Sequence, residues 1–493
     1  MMSGRRIGIA LCFVVLVSIL WATLVNAQEQ GNWSSPYRLS SAEGDASEGI
    51  MLSDQFGFTH VFWTEENLPD DRSAIQYARF DGITWSTPVD ILAARPGNQI
   101  ESVSAVVDQY GQIHILWTEG VSGPTYYSSA PAHDALSAKR WSSPRRTGIP
   151  AYQVKLRIDS ENVFHIVYSD FFGTQPGLYY TRSDDQGRTW SEPDWLDPDI
   201  LPNHSPFWID FELGDSDSLH IAWNYVDPES GLGRWVRYAH SLDGGKTWSL
   251  PFTIDESDES EDELRMAYPG LATHGENVYI IWSGDFQTHR EFRFSTDSGQ
   301  TWSVPVRIFG GLHGQAIGDG LAIDAVGRLH FIGQIRYPQG LYHAYWDRNY
   351  WSVPSMSYLI AQDAYDDIGN RVHAHHVRLT IHNGNQLVTT FTNSPGEEGQ
   401  LVLYAMHRVL DDVSPLVLVP TPEPTFTPTP PVQPSSTPTS PTITPTRAPL
   451  ELGKDAKSFV AVSVTPTNTL LLALAPALLL AGGVVVFQLL HKR

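Results

Sequence analysis

The tetrapeptide W-S-x-P occurs seven times, starting at Trp33, Trp85, Trp141, Trp190, Trp248, Trp302 and Trp351. Successive copies lie 49 to 58 residues apart. That period fits a four-stranded propeller blade and is too long for a helical-hairpin repeat. The intervals share one internal order. A first alternating run ends in a turn, as in 102–111. A second run follows: HVFW (60–63), HILW (114–117), HIVY (165–168), HIAW (220–223) and YIIW (279–282), with weaker copies at 330–333 and 387–390. An aromatic third run and a turn then lead into W-S-x-P and a fourth strand. Short alternating runs between Gly, Asp and Asn turns read as strands.

The last three-strand set, 372–410, has no W-S-x-P after it, and the first W-S-x-P has no set before it. Ring closure reconciles the two. A strand at about 33–40 is predicted to complete the seventh blade beside Leu401–Val409, removing two open sheet edges. The expected fold is all-β, a seven-bladed propeller within 28–412. A six-bladed ring with an irregular tail is the alternative.

Three of the turns before W-S-x-P are nearly identical: Ser183 to Trp190 (SDDQGRTW), Ser241 to Trp248 (SLDGGKTW) and Ser295 to Trp302 (STDSGQTW). The pattern S-x-D-x-G-x-T-W resembles the Asp-box, or BNR repeat, of the sialidase superfamily. Residues 81–85 and 347–351 are degenerate copies. The roles expected of the box are structural. Asp185, Asp243 and Asp297 accept backbone N–H groups within their turns. Gly187, Gly245 and Gly299 supply a positive φ, and Trp190, Trp248 and Trp302 plug the outer blade. His60, His114, His165, His220 and His330 occupy equivalent positions on different blades. They are too far apart to share one ion, so a repeated packing role is expected.

What repeats in every blade is scaffold, so function is sought where the repeat breaks. Loops entering the first strand and loops joining the second to the third surround the axial funnel. The entry segments carry Asp45, Glu48, Glu101, Asp210 and Asp319. The second-to-third loops carry Glu65, Glu119, Asp170 and Asp285. Candidate catalytic residues are Glu48, Glu101, Asp210, Asp319, Tyr268 and Tyr365. Candidate substrate-binding residues are Arg265, Arg336, Arg371 and His375, with His313 and His373 facing the same way. Carboxylates, arginines and tyrosines around a funnel suit a sugar, and an acidic one if the arginines converge.

The resemblance implies three arginines on a substrate carboxylate, a tyrosine nucleophile assisted by a glutamate, and an aspartate as acid/base. This departs from the usual two-carboxylate scheme of glycosidases. The family carries its first arginine in an R-I-P segment ahead of the first blade. No R-I-P occurs here, and Tyr37-Arg38-Leu39 falls in the closing strand instead. Sialidases also have six blades. The arginine triad is therefore unassigned. The expected function is a sialidase-like propeller acting on glycans as an exo-glycosidase. The alternative is a non-catalytic glycan-binding adhesin or a protein-interaction platform.

The ends supply an address. Residues 1–27 read as a signal peptide, with Arg5 and Arg6 before an apolar run and Val25-Asn26-Ala27 as the cleavage site. Residues 413–468 form a stalk and linker, rich in Pro, Thr and Ser over 415–449, a composition that favours extended polyproline II. Residues 469–490 are uncharged and long enough to span a bilayer. The basic tail 491–493 stays cytoplasmic, which leaves the propeller outside. Secretion by the Sec route with anchorage in the plasma membrane is expected.

The formal net charge of −23 argues against nucleic acid as a partner. The single cysteine, Cys12, lies in the signal segment and rules out a disulfide framework or a cysteine zinc site. No cofactor is expected. The acidic run 255–263 offers at most a weak calcium site. A monomer is expected.

Overall fold

The computed structural model describes residues 32–41, 44–68, 72–121, 123–170, 176–198, 204–227, 233–255, 267–284, 289–312, 318–336, 339–359, 375–393 and 400–419. These residues form seven antiparallel sheets in a closed ring. The innermost strands are Ile50–Ser53, Ile100–Val107, Gln153–Ile158, Ser205–Leu213, Gly270–His274, Gly320–Ile323 and His375–His382, in blades 1 to 7. Each packs on the next, and His375–His382 returns to Ile50–Ser53. The short strand Asp45–Ala46 adds to blade 1 beside Thr59–Leu68.

Closure occurs as the repeat predicts. Blade 7 consists of His375–His382, Gln386–Asn393, Val402–Val409 and then Tyr37–Arg38 from the N-terminal end. Tyr37 pairs with Ala405 and Arg38 with Tyr404. Leu39, Ala46, Val61, Trp63 and Ala78 join Leu403 and Ala405 in a core between blades 7 and 1. The other large clusters also bridge neighbouring blades, as where Phe62, Ile75 and Tyr77 of blade 1 meet Ile113, Ile115 and Trp117 of blade 2. The hydrophobic core is thus a ring of interfaces between blades.

The serine of W-S-x-P does the same thing in all seven blades. Its N–H donates to a third-strand carbonyl: Ser34 to His407, Ser86 to Arg79, Ser142 to Ser129, Ser191 to Arg182, Ser249 to His240, Ser303 to Phe294 and Ser352 to Tyr345, at 2.8–2.9 Å. The N–H of that same third-strand residue donates back to the serine Oγ at 2.9–3.1 Å. The hydroxyl stands in for a backbone carbonyl where the chain turns outward. The proline two residues on lacks a backbone donor, which suits the margin of a sheet.

The Asp-box side chains bond within their own turns. Asp297 Oδ1 accepts the N–H of Thr301 at 2.8 Å and the Ser295 hydroxyl at 2.7 Å, and Oδ2 accepts the Thr301 hydroxyl at 2.6 Å. Asp185 and Asp243 repeat the pattern. Desolvation of Asp297 opposes ionisation, but these donors outweigh it and hold the carboxyl at about 2. The box tryptophans do more than plug the outer blade. Trp248 and Trp302 meet Tyr180 and Tyr238 of the preceding blade edge-on, with centroids 5.0 and 4.8 Å apart.

Those tyrosines end a second repeated device. Tyr77, Tyr127, Tyr180 and Tyr238 bond the Nδ1 atoms of His60, His114, His165 and His220 at 2.7–2.8 Å. Nε2 of His60, His114 and His165 meets Asp54, Asp108 and Asp159 in the turn just before it, at 3.1–3.3 Å. Blade 4 places Ser218 there, and blade 6 pairs His330 with Asp324 and His343. Burial pushes His60, His165, His220 and His330 below the ordinary histidine value. The expected packing role of these histidines is a hydrogen-bonded pillar through each blade.

Gly299 has φ of +83° and abuts the Tyr238 hydroxyl, which an added Cβ would overlap. Gly299→Ala is expected to cost about 3 kcal/mol through strain and overpacking. A lowered thermal midpoint with unchanged far-UV circular dichroism would check it; an unchanged midpoint would contradict this reading of the box.

The packed chain continues beyond residue 412. Val413 is buried, the Leu416 N–H donates to Asn383 and the Val419 N–H donates to Gln55. The segment crosses turns that join first to second strands, on the face opposite the funnel. The signal segment 1–27, the stalk from residue 420, the span 469–490 and the tail 491–493 lie outside the described residues. Among the described residues no helix is long and apolar enough to cross a membrane.

Candidate functional site

The inner strands run along the propeller axis, so every second residue faces the axial space. In blade 3 these are Gln153, Lys155 and Arg157; in blade 4, Trp208, Asp210 and Glu212. Glu48 and Ile50 enter from blade 1, Tyr268 from blade 5, Asp319 from blade 6 and Arg378 from blade 7. Together they line an axial cavity of about 190 Å³. Charged residues stand here on strands whose outer neighbours are apolar.

Each described arginine at the cavity already has a carboxylate. Arg157 Nη2 donates to Glu212 Oε1 at 2.6 Å and Nε to Oε2 at 3.4 Å. Arg378 Nη2 donates to Glu48 Oε2. Arg290, reaching in from behind, donates through Nε and Nη2 to both oxygens of Asp319 and through Nη2 to the Gln334 carbonyl. Lys155 differs: among the described residues no carboxylate oxygen lies within 4.0 Å of its amine. Burial lowers the Lys155 pKa against the attraction of Glu48 and Asp210.

The acids divide by environment. Burial raises Glu48, but Arg378, Lys155 and His376 together outweigh it and bring the carboxyl down to about 2. Glu212 moves the other way. Burial and the neighbouring Asp210 raise it more than Arg157 lowers it. Asp210 acts as a strut between blades 4 and 5, accepting the Leu271 N–H at 2.7 Å. A carboxylate held low by neighbouring cations and one that burial raises against its Arg157 partner share one cavity.

An aromatic wall completes the cavity. Tyr268 is buried and meets Trp208 edge-on at 4.6 Å, and His376 lies 6.3 Å from Trp208. Trp208 and His376 both sit where their strands slip register, between Phe207 and Asp210 and between His375 and Arg378. Such bulges re-aim side chains and concentrate near functional sites.

Of the sequence candidates, Glu48, Asp210, Asp319 and Tyr268 converge on the axis. Glu101 does not. It lies with Glu66, Arg72, Asn98 and Gln99 in a separate cleft between blades 1 and 2. Glu65 and Glu119 are buried acceptors for the indoles of Trp63 and Trp117, at 3.0 and 3.4 Å. Arg265, Tyr365 and Arg371 lie outside the described residues, as do Asp285, His313 and His373. Arg336 and His375 are placed as strand backbone only. The acidic run lies outside too, except Asp255, which accepts the Val236 N–H. No group of three or more His, Cys, Asp or Glu among the described residues is arranged to hold a metal ion.

Sequence reasoning missed Lys155, Arg157, Trp208, Glu212, His376 and Arg378. The signal was present. The alternations 153/155/157 and 208/210/212 put polar or charged groups on the axial face of strands otherwise rich in apolar residues. Attention to loops alone passed over it.

Seven antiparallel blades, three of them closed by Asp-box turns, decide the likeness of fold. The chain is a sialidase-like β-propeller. No family model matches it, and no curated protein matches it. Solved structures similar to it include a polysaccharide lyase of family PL25, an ulvan lyase bound to -[GlcA(1-4)Rha3S]-, at 13% identity and TM-score 0.46, over 75% of this chain and 95% of that one. A mutant of the NanB sialidase from Streptococcus pneumoniae follows at 14% and 0.42, over 77% and 72%. A GH93 alpha-L-arabinofuranosidase of Fusarium graminearum with arabinobiose stands at 12% and 0.43, over 78% and 99%. The likeness is one of fold.

Proposed function

We propose that this protein is an exported, membrane-anchored propeller that takes a glycan into its axial cavity and cleaves a terminal glycosidic bond. One observation carries the reading: Glu48, Asp210, Glu212 and Lys155 line one axial cavity with Trp208 and Tyr268, and no carboxylate oxygen among the described residues lies within 4.0 Å of the Lys155 amine. Glu212 then serves as proton donor to the leaving oxygen, and Glu48 as the anionic partner that activates water or meets the sugar carbon. Lys155 is the group available for a carboxylate or sulfate on the sugar. Export and anchorage rest on the apolar end segments and the Pro/Thr tract; no nucleic acid, metal or cofactor is invoked.

A second reading is favoured by the pairing of Arg157, Arg378 and Arg290. With these guanidiniums already matched, the cavity can hold a saccharide through hydrogen bonds and ring contacts without cleaving it. Full-length protein in detergent, incubated with 3′-sialyllactose, lactose and a glucuronate-terminated oligosaccharide, separates the two. Monosaccharide release read by mass spectrometry supports cleavage. Retention of an intact glycan supports the receptor. Neither outcome with any of the three would remove the glycan assignment.

A further inference from the structure

Two tryptophans have φ near +48°, in the left-handed region that bulky side chains rarely adopt. Trp235 is 4% exposed and packs against Tyr225 in the core of blade 4, so burial accounts for its position. Trp208, like Trp235, is the extra residue of a strand bulge, but it is only half-buried. It borders the axial cavity. Its indole N–H is also buried, with no hydrogen-bond partner among the described residues. A left-handed backbone and an orphan donor thus meet in one residue, and costs of this kind collect at ligand clamps and active sites.

The surroundings fix the ring. Phe207 and Tyr268 meet Trp208 at 4.8 and 4.6 Å, both nearly perpendicular, and His376 at 6.3 Å is tilted 33°. Phe207 in turn stacks on Tyr152 at 5.7 Å. Residues of blades 3, 4, 5 and 7 thereby hold one indole at the cavity wall. Edge-on packing from neighbours steadies an aromatic ring. Polar groups that fix orientation, Glu48, Gln153 and Lys155, line the same space, the combination of a small-molecule site.

We infer that Trp208 is the stacking platform for the sugar ring in the axial cavity, selecting a pyranose that presents a continuous C–H face, as β-galactosides and β-glucosides do. The inference rests on the glycan reading above and adds the residue that recognises the ring. Trp208→Phe keeps an aromatic face and removes the orphan donor. Trp208→Gly removes the face and tolerates the positive φ.

The test uses full-length protein labelled with 5-fluorotryptophan, with the Trp208 resonance identified by its loss in Trp208→Phe. Lactose and 3′-sialyllactose are titrated, and the thermal midpoint of each variant is measured. The expected result is a ligand-dependent shift of the Trp208 resonance. Affinity should weaken about tenfold in Trp208→Gly and less than about threefold in Trp208→Phe, the first corresponding to about 1.4 kcal/mol. The midpoint of Trp208→Phe should not fall. Binding of equal strength in wild type and both variants would overturn the platform and leave the glycan reading standing. A fallen midpoint in Trp208→Phe with unaltered affinity would make Trp208 a packing residue. Absence of binding to both sugars in wild type would overturn the platform, while the glycan reading would then stand or fall on the glucuronate-terminated oligosaccharide.

Discussion

Deleting residues 28–41 is expected to abolish cooperative unfolding of the propeller. The segment supplies the outer strand of blade 7, where Tyr37 and Arg38 pair with Ala405 and Tyr404. It also supplies the two-way hydrogen bond between Ser34 and His407 and the buried Leu39 that packs into the core between blades 7 and 1. Its removal exposes the Val402–Val409 edge and opens the ring at one interface. A buried leucine alone accounts for about 2–5 kcal/mol, and whole domains are stable by only about 5–15 kcal/mol. The measurement is a denaturant titration followed by tryptophan fluorescence and circular dichroism. Loss of a single sharp transition, with dye-binding apolar surface, is expected. An unchanged midpoint would show that the other interfaces suffice without closure. Ser34→Ala is the milder companion, costing about 1 kcal/mol for one hydroxyl acceptor.

Glu212→Gln is expected to lower the rate of sugar release by about 10²–10⁴-fold if Glu212 is the proton donor. The release rate should be flat at mildly acidic pH and fall on the alkaline side, as Glu212 loses its proton above the ordinary carboxylate range. Glu48, at about 2, stays ionised throughout. The same residue sets an acid limit on stability. Its carboxyl moves from the ordinary 4.5 down to about 2 on folding. The stability this contributes is fully present above 4.5 and drains away as pH falls towards 2. At about 1.4 kcal/mol per unit the contribution is at most about 3.5 kcal/mol. Glu48→Gln should therefore flatten the loss of stability between pH 4.5 and 2. An unchanged acid midpoint in that variant would mean that the Arg378 contact is not made in solution.

The two carboxylates illustrate what was legible. Glu48 is legible because it precedes a first strand, where a loop faces the funnel. Glu212 is not, because it sits inside a strand, near the turn at the far end. Asp319 was also recognised, but its capture by Arg290 was not, since Arg290 begins the third strand of the preceding blade. Glu101 shows the converse error of resolution. Its sequence position matches Glu48, yet the first strand of blade 2 bulges between Ile100 and Ser102, and Glu101 lines a cleft between blades 1 and 2.

The repeat of W-S-x-P, with the three runs between its copies, pointed to seven blades, their strand order and ring closure, with a six-bladed ring as the alternative that the structure removed. These follow from a period that backbone hydrogen bonding imposes on every copy, so seven weak local signals add. Likewise the Asp-box turns could be read in advance, because their bonds run within a few residues of chain. Only the tertiary structure decided the site. Lys155, Trp208, Glu212 and Arg378 come from three different blades, and what matters about each is which charge or ring the ring of blades places beside it. The Arg157–Glu212 pair joins neighbouring blades, and the Arg378–Glu48 pair spans the closure itself. Electrostatic environment and the strain at Trp208 are properties of that assembled axis, and no local pattern in the chain encodes them.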